Sequence, residues 1–185
     1  NMRSLVNIFL CFFALLAAYS CTQSGGYVTI TGFAQGGAYT VKINTDGVTV
    51  PAEEIRDSID CILKDIDNSL SSYNRKSVLS RFNSGEAVVP DTLFTEIYAI
   101  GREVFDLTGG AVDVAAAPLF DIWGFGFANG ALPSADEVRG TMLACGMNRL
   151  KDDLCDAIAE DGSLEPSDLL LEDGELPELN YNAIA

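Results

Sequence analysis

Histidine is absent from the 185-residue sequence. Its absence excludes, within this chain, histidine-based acid–base catalysis, Ser-His-Asp or Cys-His nucleophile activation, and histidine-ligated metals. Any metal chemistry must therefore use oxygen ligands, which hard cations such as Mg²⁺ prefer.

Basic residues are scarce, with 11 Lys and Arg against 27 Asp and Glu and a net charge of −16. A chain this acidic is not expected to bind nucleic acid by neutralising phosphates. None of the five cysteines forms a CxxC pair. Neither a zinc site nor a full disulfide framework is indicated. We expect Cys61, Cys145 and Cys155 to be buried thiols.

The one long hydrophobic run lies at Leu5–Ala18, "LVNIFLCFFALLAA", after Arg3. It is shorter than the roughly 20 residues that span a bilayer, and it predicts an export signal over residues 1–20. Small residues before Cys21 resemble a bacterial lipoprotein signal. Cys21 would then carry the lipid, residues 21–26 would be a flexible tether, and the protein would be anchored on the periplasmic side of the cell membrane. The alternative is an ordinary cleaved signal peptide in which Cys21 has no role.

Alternating residues from Tyr27 to Asn44, interrupted by Gly36 and Gly37, predict a β-hairpin. Pro51 predicts the start of a helix. Its apolar stripe is Ile55, Ile59, Ile62, Leu63, Ile66 and Leu70.

Asp91 is the predicted N-cap of a second helix that Gly109 and Gly110 end. Its predicted inner face is Leu93, Ile97, Ile100 and Val104. Ser134 and Glu137 have the spacing of a capping box that opens a third helix.

Residues 151–178 contain eleven acids, one base and no clear period, and we expect a solvated, poorly specified segment. A hairpin followed by helices and shorter strand-like pieces predicts the α+β class.

Three segments between these elements are candidates for ligand contacts. The turn "AQGGAY" brings backbone within reach of a ligand, or is simply a turn. Tyr73 in "SSYNRKSVLSRFN" offers a face for stacking on a flat ring, or covers a helix end. Asp113 in "TGGAVDVAAAPLFDIWGFG" offers a hydrogen-bond acceptor to a ligand, or caps a helix.

The order "GAYTVKI", "SSYNRKSVLSRFN", "TGGAVDVAAAPLFDIWGFG" and "LNYNAIA" resembles the ApbE family of FAD:protein FMN transferases. The resemblance implies a T-fold-like domain with a mixed or antiparallel sheet and packed helices. It also implies that FMN passes from FAD to a threonine of an acceptor flavoprotein, such as a redox-pump or electron-transfer subunit, with release of AMP. Mg²⁺ polarises the phosphoryl oxygens in such a reaction.

The same resemblance implies a set of FAD contacts. They are Gln35, Tyr73, Ala111, Val112, Asp113 and Asn180, and the backbone carbonyl of Ala183 would contact Mg²⁺. Val112 replaces an aromatic residue of the family motif and Asn180 replaces its usual aspartate. The resemblance assigns no catalytic residue.

The resemblance also implies that residues 27–185 form the N-terminal part of the domain. We expect the C-terminal half to be missing, so that this chain alone is an incomplete, inactive fragment. Two other functions stay open: an FAD pyrophosphatase, and a flavin-binding lipoprotein without turnover.

Overall fold

The computed structural model describes residues 26–125, 132–172 and 174–181. The chain divides into two compact units, Asn1–Cys61 and Ile62–Ala185, with the boundary inside the first helix. Cys21, Ala183 and the predicted signal peptide lie outside the described residues. Within the described ranges, no helix combines the length and the apolar character needed to cross a bilayer.

The first unit contains the predicted hairpin, formed by β1 (Tyr27–Ala34) and β2 (Gly37–Asn44) in antiparallel register. Its two-residue loop is Gln35–Gly36, with φ of +51° and +79°. Positive φ at both central residues is what a type I′ turn requires, and this turn matches the twist of paired strands. Gly37, predicted as part of the turn, is instead the first residue of β2.

Tyr39 fixes the hairpin to the first helix, α1 (Ala52–Leu70). Its ring lies across the strand over Gly32, where any Cβ would overlap the ring. Its hydroxyl donates a hydrogen bond to Asp60 Oδ1 at 2.9 Å. Tyr39 therefore serves a structural contact within the first unit.

Four further α-helices lie in the described part of the second unit. They are α2 (Val78–Asn83), α3 (Thr92–Leu107), α4 (Ala117–Ile122) and α5 (Ala135–Met142). Short 3₁₀ helices follow at Met147–Arg149, Leu154–Asp156 and Pro166–Leu169. The α+β class is confirmed.

The predicted helix ends are confirmed. Asp91 accepts a hydrogen bond from the Phe94 amide at 2.9 Å, as an N-cap does. Gly109 and Gly110 take positive φ directly after α3. Ser134 and Glu137 form the complete capping box of α5.

The predicted inner face of α3 is only partly right, because Ile97 packs against the core but no predicted residue of this face is fully buried. The buried residues are Phe94, Tyr98, Gly101 and Arg102, whereas Ile100 is 47% exposed. Arg102 Nη2 donates to the carbonyls of Met147 at 2.7 Å and Leu150 at 2.9 Å, and these bonds offset the cost of burying its charge. The α1 stripe is likewise only half-buried, and Ile62 on it is exposed.

The prediction of a solvated segment over residues 151–178 is also wrong. Leu154, Ala157, Leu164 and Leu169 are at most 5% exposed. Leu164 also pairs with Val88 through an isolated antiparallel bridge. The described acids of this segment lie on the solvent side, while Leu154, Leu164 and Leu169 complete the core.

Aromatic rings join the helices to the end of the described chain. The Phe94 ring lies edge-on to Phe82 and to Tyr181, with centroids 5.7 Å and 6.0 Å away. Such edge-to-face pairs stabilise beyond the area that they bury. The core therefore uses residues from α2, α3 and the segment around Tyr181.

Candidate functional site

The loop after α3 is shaped by two glycines and a threonine. Gly110 takes φ of +83°, and its amide donates to the Phe105 carbonyl at 2.8 Å, which closes the helix. The Thr108 hydroxyl accepts a hydrogen bond from the Val112 amide at 3.1 Å. These contacts turn the chain back so that residues 111–113 face a cavity.

Asp113 holds this loop against the segment that begins the first 3₁₀ helix. Its Oδ1 accepts from the Ala115 amide at 2.8 Å and from the Met147 amide at 3.2 Å. The Gly146 amide donates to the Ala115 carbonyl at 2.9 Å. Asp113 therefore makes a tertiary contact in addition to its local turn, and it does not cap one of the α-helices.

Residues 111–113 line a cavity of about 910 Å³, which we call the apolar cavity. Most of its lining is aromatic, aliphatic or glycine. The lining residues are Phe105, Gly110, Ala111, Val112, Asp113, Ala116, Leu119, Phe120, Trp123, Phe125, Met142, Cys145, Gly146 and Asn148. A space of this size and character suits a planar, largely apolar ring system with a few polar anchors.

Tyr73 and Asn180 line a second space of about 540 Å³, which we call the polar cleft. Its other lining residues are Ser72, Arg75, Ser80, Asn83, Ser84, Glu86, Ala117, Asp121, Phe125, Glu178 and Leu179. Phe125 lines both spaces, and the Tyr73 hydroxyl donates to its carbonyl at 3.4 Å. The apolar cavity and the polar cleft are therefore neighbours that meet at Phe125.

The segment Glu178–Asn180 forms one wall of the polar cleft. The Asn180 amide donates to the Val114 carbonyl at 2.6 Å, and the Glu178 carbonyl accepts from the Ala117 amide at 3.2 Å. The wall is thus anchored to the loop that carries Asp113. The structure brings five of the predicted site residues into two adjoining spaces: Tyr73, Ala111, Val112, Asp113 and Asn180.

Gln35 is the predicted site residue that belongs to the first unit, where it is exposed at the hairpin turn. Sequence reasoning assigned no role to Asn83 or to Arg75, although both lie in the quoted "SSYNRKSVLSRFN". Asn83 bonds to Leu179, 96 residues later, and no local pattern announces such a contact. Arg75 could have been found from the sequence, because it is a basic residue close to Tyr73, the predicted ring contact.

Acidic groups dominate the charge of the polar cleft. Glu86, Asp121 and Glu178 line it together with the cation Arg75. Partial burial raises the pKa of the Glu178 carboxyl, and the nearby Asp121 and Glu175 carboxylates raise it further. An anionic ligand in the cleft would meet repulsion unless a cation accompanied it.

Cysteines were expected to be buried, and this prediction is wrong. Cys61 and Cys155 are exposed, and Cys145 is half-buried at the apolar cavity. The Cys145 thiol donates to the Thr141 carbonyl at 3.4 Å, and burial raises its pKa. It is therefore largely a neutral thiol at neutral pH.

Metal-ligating side chains do not cluster in the described residues. Across residues 26–125, 132–172 and 174–181, no group of three or more Cys, Asp or Glu is placed to hold a metal ion. The described residues therefore offer no preformed metal cage.

The chain matches the ApbE family over residues 35–185. It belongs to the ApbE family. The FAD:protein FMN transferase of Haemophilus influenzae is 31% identical over 130 residues, which cover 68% of this chain and 38% of that relative. The FAD:protein FMN transferase of Vibrio cholerae is 29% identical over 116 residues, which cover 61% of this chain and 35% of that relative.

Solved structures agree with this ApbE assignment. The apo form of Pseudomonas stutzeri flavinyl transferase ApbE matches with a TM-score of 0.68 and 26% identity, covering 87% of this chain and 51% of that one. The Vibrio cholerae flavin transferase ApbE matches in fold with a TM-score of 0.66. This ApbE chain thus spans about half the length of the solved structures and less than two fifths of these curated relatives.

Proposed function

We propose that the protein binds FAD at the apolar cavity and the polar cleft and transfers its FMN part to an acceptor flavoprotein. The observation that carries this proposal is the meeting of the two spaces at Phe125. FAD has planar rings at its ends and a charged diphosphate between them. An apolar space beside a polar one is complementary to that alternation.

The lining residues suggest separate tasks. Ala111 and Val112 bring small side chains to the apolar cavity, where a flat ring needs close approach. Tyr73 is 61% exposed at the polar cleft, and its ring would stack on a bound ligand. Arg75 in the same cleft is the cation suited to a phosphate oxygen.

Magnesium dependence belongs to the same proposal and is supported by the family resemblance and by charge. The described residues hold no metal cage. Mg²⁺ is, however, usually bound by one or two carboxylates together with substrate phosphates and water. The acidic lining of the polar cleft gives a second reason to expect a cation with the diphosphate. The predicted contact at Ala183 stays a proposal.

The proposed reaction is a phosphoryl transfer. The oxygen of an acceptor threonine bonds to the FMN phosphorus while the bond from that phosphorus to the bridging oxygen breaks. AMP leaves with the bridging oxygen, and the threonine hydroxyl loses its proton. Such reactions depend mainly on positioning and charge stabilisation, so a chain without histidine is compatible with them.

Location is part of the proposal as well. Leu5–Ala18 and Cys21 support export and attachment by a lipid on the periplasmic side of the membrane. The acceptor would then be a flavoprotein with a target threonine exposed on that side. Radiolabelled palmitate should be incorporated by cells that express the wild-type sequence and not by cells that express Cys21→Ala.

Purified full-length protein tests the activity when it is mixed with FAD, Mg²⁺ and an acceptor that bears the target threonine. We expect covalent FMN on the acceptor, detected by mass spectrometry, and AMP in equal amount. An acceptor with alanine at the target position is the matched control, and EDTA should stop the reaction. Release of free FMN and AMP without an acceptor would indicate a pyrophosphatase instead of a transferase. FAD binding without turnover would indicate a binding protein.

A further inference from the structure

Asn83, the last residue of α2, makes two hydrogen bonds to a single residue far along the chain. Its Nδ2 donates to the Leu179 carbonyl at 2.8 Å, and its Oδ1 accepts from the Leu179 amide at 3.0 Å. A side-chain amide offers a donor and an acceptor together, so it bonds to both polar backbone groups of Leu179 as a neighbouring strand would. Leu179 is fully buried and Asn83 is half-buried.

The residue bonded to Asn83 directly precedes Asn180, which lines the polar cleft. On the opposite side, the Asn180 amide is held by the Val114 carbonyl at 2.6 Å. Residues 178–180 are thus held from α2 on one side and from the Asp113 loop on the other. The bonds of Asn83 and the contacts with the loop therefore hold this wall together.

The helix that carries Asn83 is itself bonded to the loop that carries Tyr73. The Ser77 hydroxyl caps α2 by accepting from the Ser80 amide at 2.9 Å, and it donates to the Ser71 carbonyl at 2.6 Å. The Ser80 hydroxyl donates to the same carbonyl at 3.0 Å. Asn83 therefore connects the Tyr73 side of the polar cleft to the Asn180 side.

We infer that Asn83 is a positioning residue that fixes Asn180 in the polar cleft and thereby sets the affinity for FAD. This inference rests on the proposed function in one respect, namely that FAD occupies the cleft. Although Asn83 also lines the polar cleft, both polar atoms of its amide bond to Leu179, so it acts through that backbone. Its contribution depends on the length of the side chain and on both polar atoms of the amide.

Hydrogen exchange followed by NMR tests the contact without FAD. In the full-length protein, Asn83→Leu has nearly the same volume and removes both bonds, so the Leu179 amide should exchange at least tenfold faster than in the wild type. Asn83→Asp keeps the acceptor for that amide and should exchange at an intermediate rate. Wild-type exchange at Leu179 in both variants would overturn the inference.

Titration with FAD, followed by flavin fluorescence, tests the consequence for binding. Asn83→Leu and the longer but uncharged Asn83→Gln should bind FAD roughly tenfold more weakly, which corresponds to about 1.4 kcal/mol. Val88→Ala is the control for stability, because Val88 is 2% exposed and lines neither space. It should lower the melting temperature and keep the wild-type affinity.

The two proposals fail in different ways. A wild-type protein that does not bind FAD removes the proposed function and, with it, the role of Asn83 in FAD affinity. Wild-type affinity retained in Asn83→Leu and Asn83→Gln overturns the positioning role and leaves the proposed function intact. Equal loss of affinity in Val88→Ala and Asn83→Gln would also overturn it, because general destabilisation would then account for both.

Discussion

Gly146 lies on the wall of the apolar cavity with φ of +125°, a region that side chains disfavour. A Cβ there would overlap Asn148 Oδ1. We expect Gly146→Ala to lower the free energy of unfolding by about 1–3 kcal/mol, mainly because of backbone strain, while the Asn148 side chain can shift away. Urea denaturation measures this change.

Gly140 is the matched control for that substitution. It lies within α5. Apart from its chain neighbours and the backbone of the helix, no atom lies within 4 Å of an added Cβ. Alanine there should stabilise by a few tenths to about 1 kcal/mol, since it reduces the entropy of the unfolded chain. Two variants with the same sign of change would contradict this account of Gly146.

Asp113 serves the fold whether or not it contacts FAD. Asp113→Ala leaves the amides of Ala115 and Met147 without this acceptor, and Met147 is fully buried. We expect a loss of about 2–3 kcal/mol in the free energy of unfolding, measured by urea denaturation. Asp113→Asn keeps an oxygen acceptor and should lose about half as much.

The asparagine variant is therefore the sharper test of ligand contact. If the charge of Asp113 contacts FAD, Asp113→Asn should weaken FAD binding while the protein stays folded at room temperature. Unchanged affinity in Asp113→Asn would restrict Asp113 to the structural role.

Glu178 gives a pH dependence whose sign follows from its raised pKa. Since the folded-state pKa lies above the unfolded value, this group favours folding most below the unfolded pKa. That contribution is lost as the pH rises through the folded pKa. We expect Glu178→Gln to have a higher melting temperature than the wild type at pH 7 and no advantage near pH 4. Glu160→Gln removes the same charge at an exposed position and should show no such pH-dependent gain.

At the scale of elements, the caps of α3 and α5 differ in what they contact. Asp91 Oδ1 accepts from the Phe94 amide at 2.9 Å and from the Ser69 hydroxyl at 2.7 Å, so it joins α3 to α1. Ser134 caps the short α5, in which no residue is buried. Asp91→Ala should cost about 2 kcal/mol and Ser134→Ala about 1 kcal/mol or less in urea denaturation. Equal costs would show that the contact with α1 contributes nothing.

Element ends were predictable from sequence because their causes are local. A capping side chain bonds within three residues, and a glycine with positive φ needs no distant partner. The inner face of α3 was not predictable in this way, because apolar residues occur on more than one side of that helix. Gly101 on the buried face admits Val114, and Arg102 bonds to carbonyls 45 and 48 residues away.

The same distinction between local and distant causes applies to the candidate site. Family motifs predicted five residues that line the two spaces, although their roles are not yet tested. Composition and periodicity alone left Tyr73 and Asp113 with alternative structural roles. The pairing of Asn83 with Leu179 depends on tertiary packing, and only the structure reveals it.

At the scale of the whole molecule, the acidic segment 151–178 belongs to the core. Its charge suggested solvent, but four of its apolar side chains are buried. We expect Leu164→Ala to cost about 2–5 kcal/mol, because it removes a fully buried side chain and leaves a cavity. Leu171→Ala, at a side chain 58% exposed, should change stability by less than about 0.5 kcal/mol. Urea denaturation of both variants checks this. A small effect at Leu164 would show that the segment does not contribute to the core.

The bond between Asn83 and Leu179 also determines when α2 can complete its packing as the chain is made. The two residues are 96 positions apart, and a ribosome adds roughly 5–20 residues per second. Helix α2 therefore leaves the ribosomal exit tunnel several seconds before Leu179 does. Leu79 and Phe82, which pack in the same core, are unprotected during that interval. Whether the chain folds on the ribosome or, as proposed, after export, it should therefore depend on chaperones until Tyr181 has emerged, and stalling before that point should increase its aggregation.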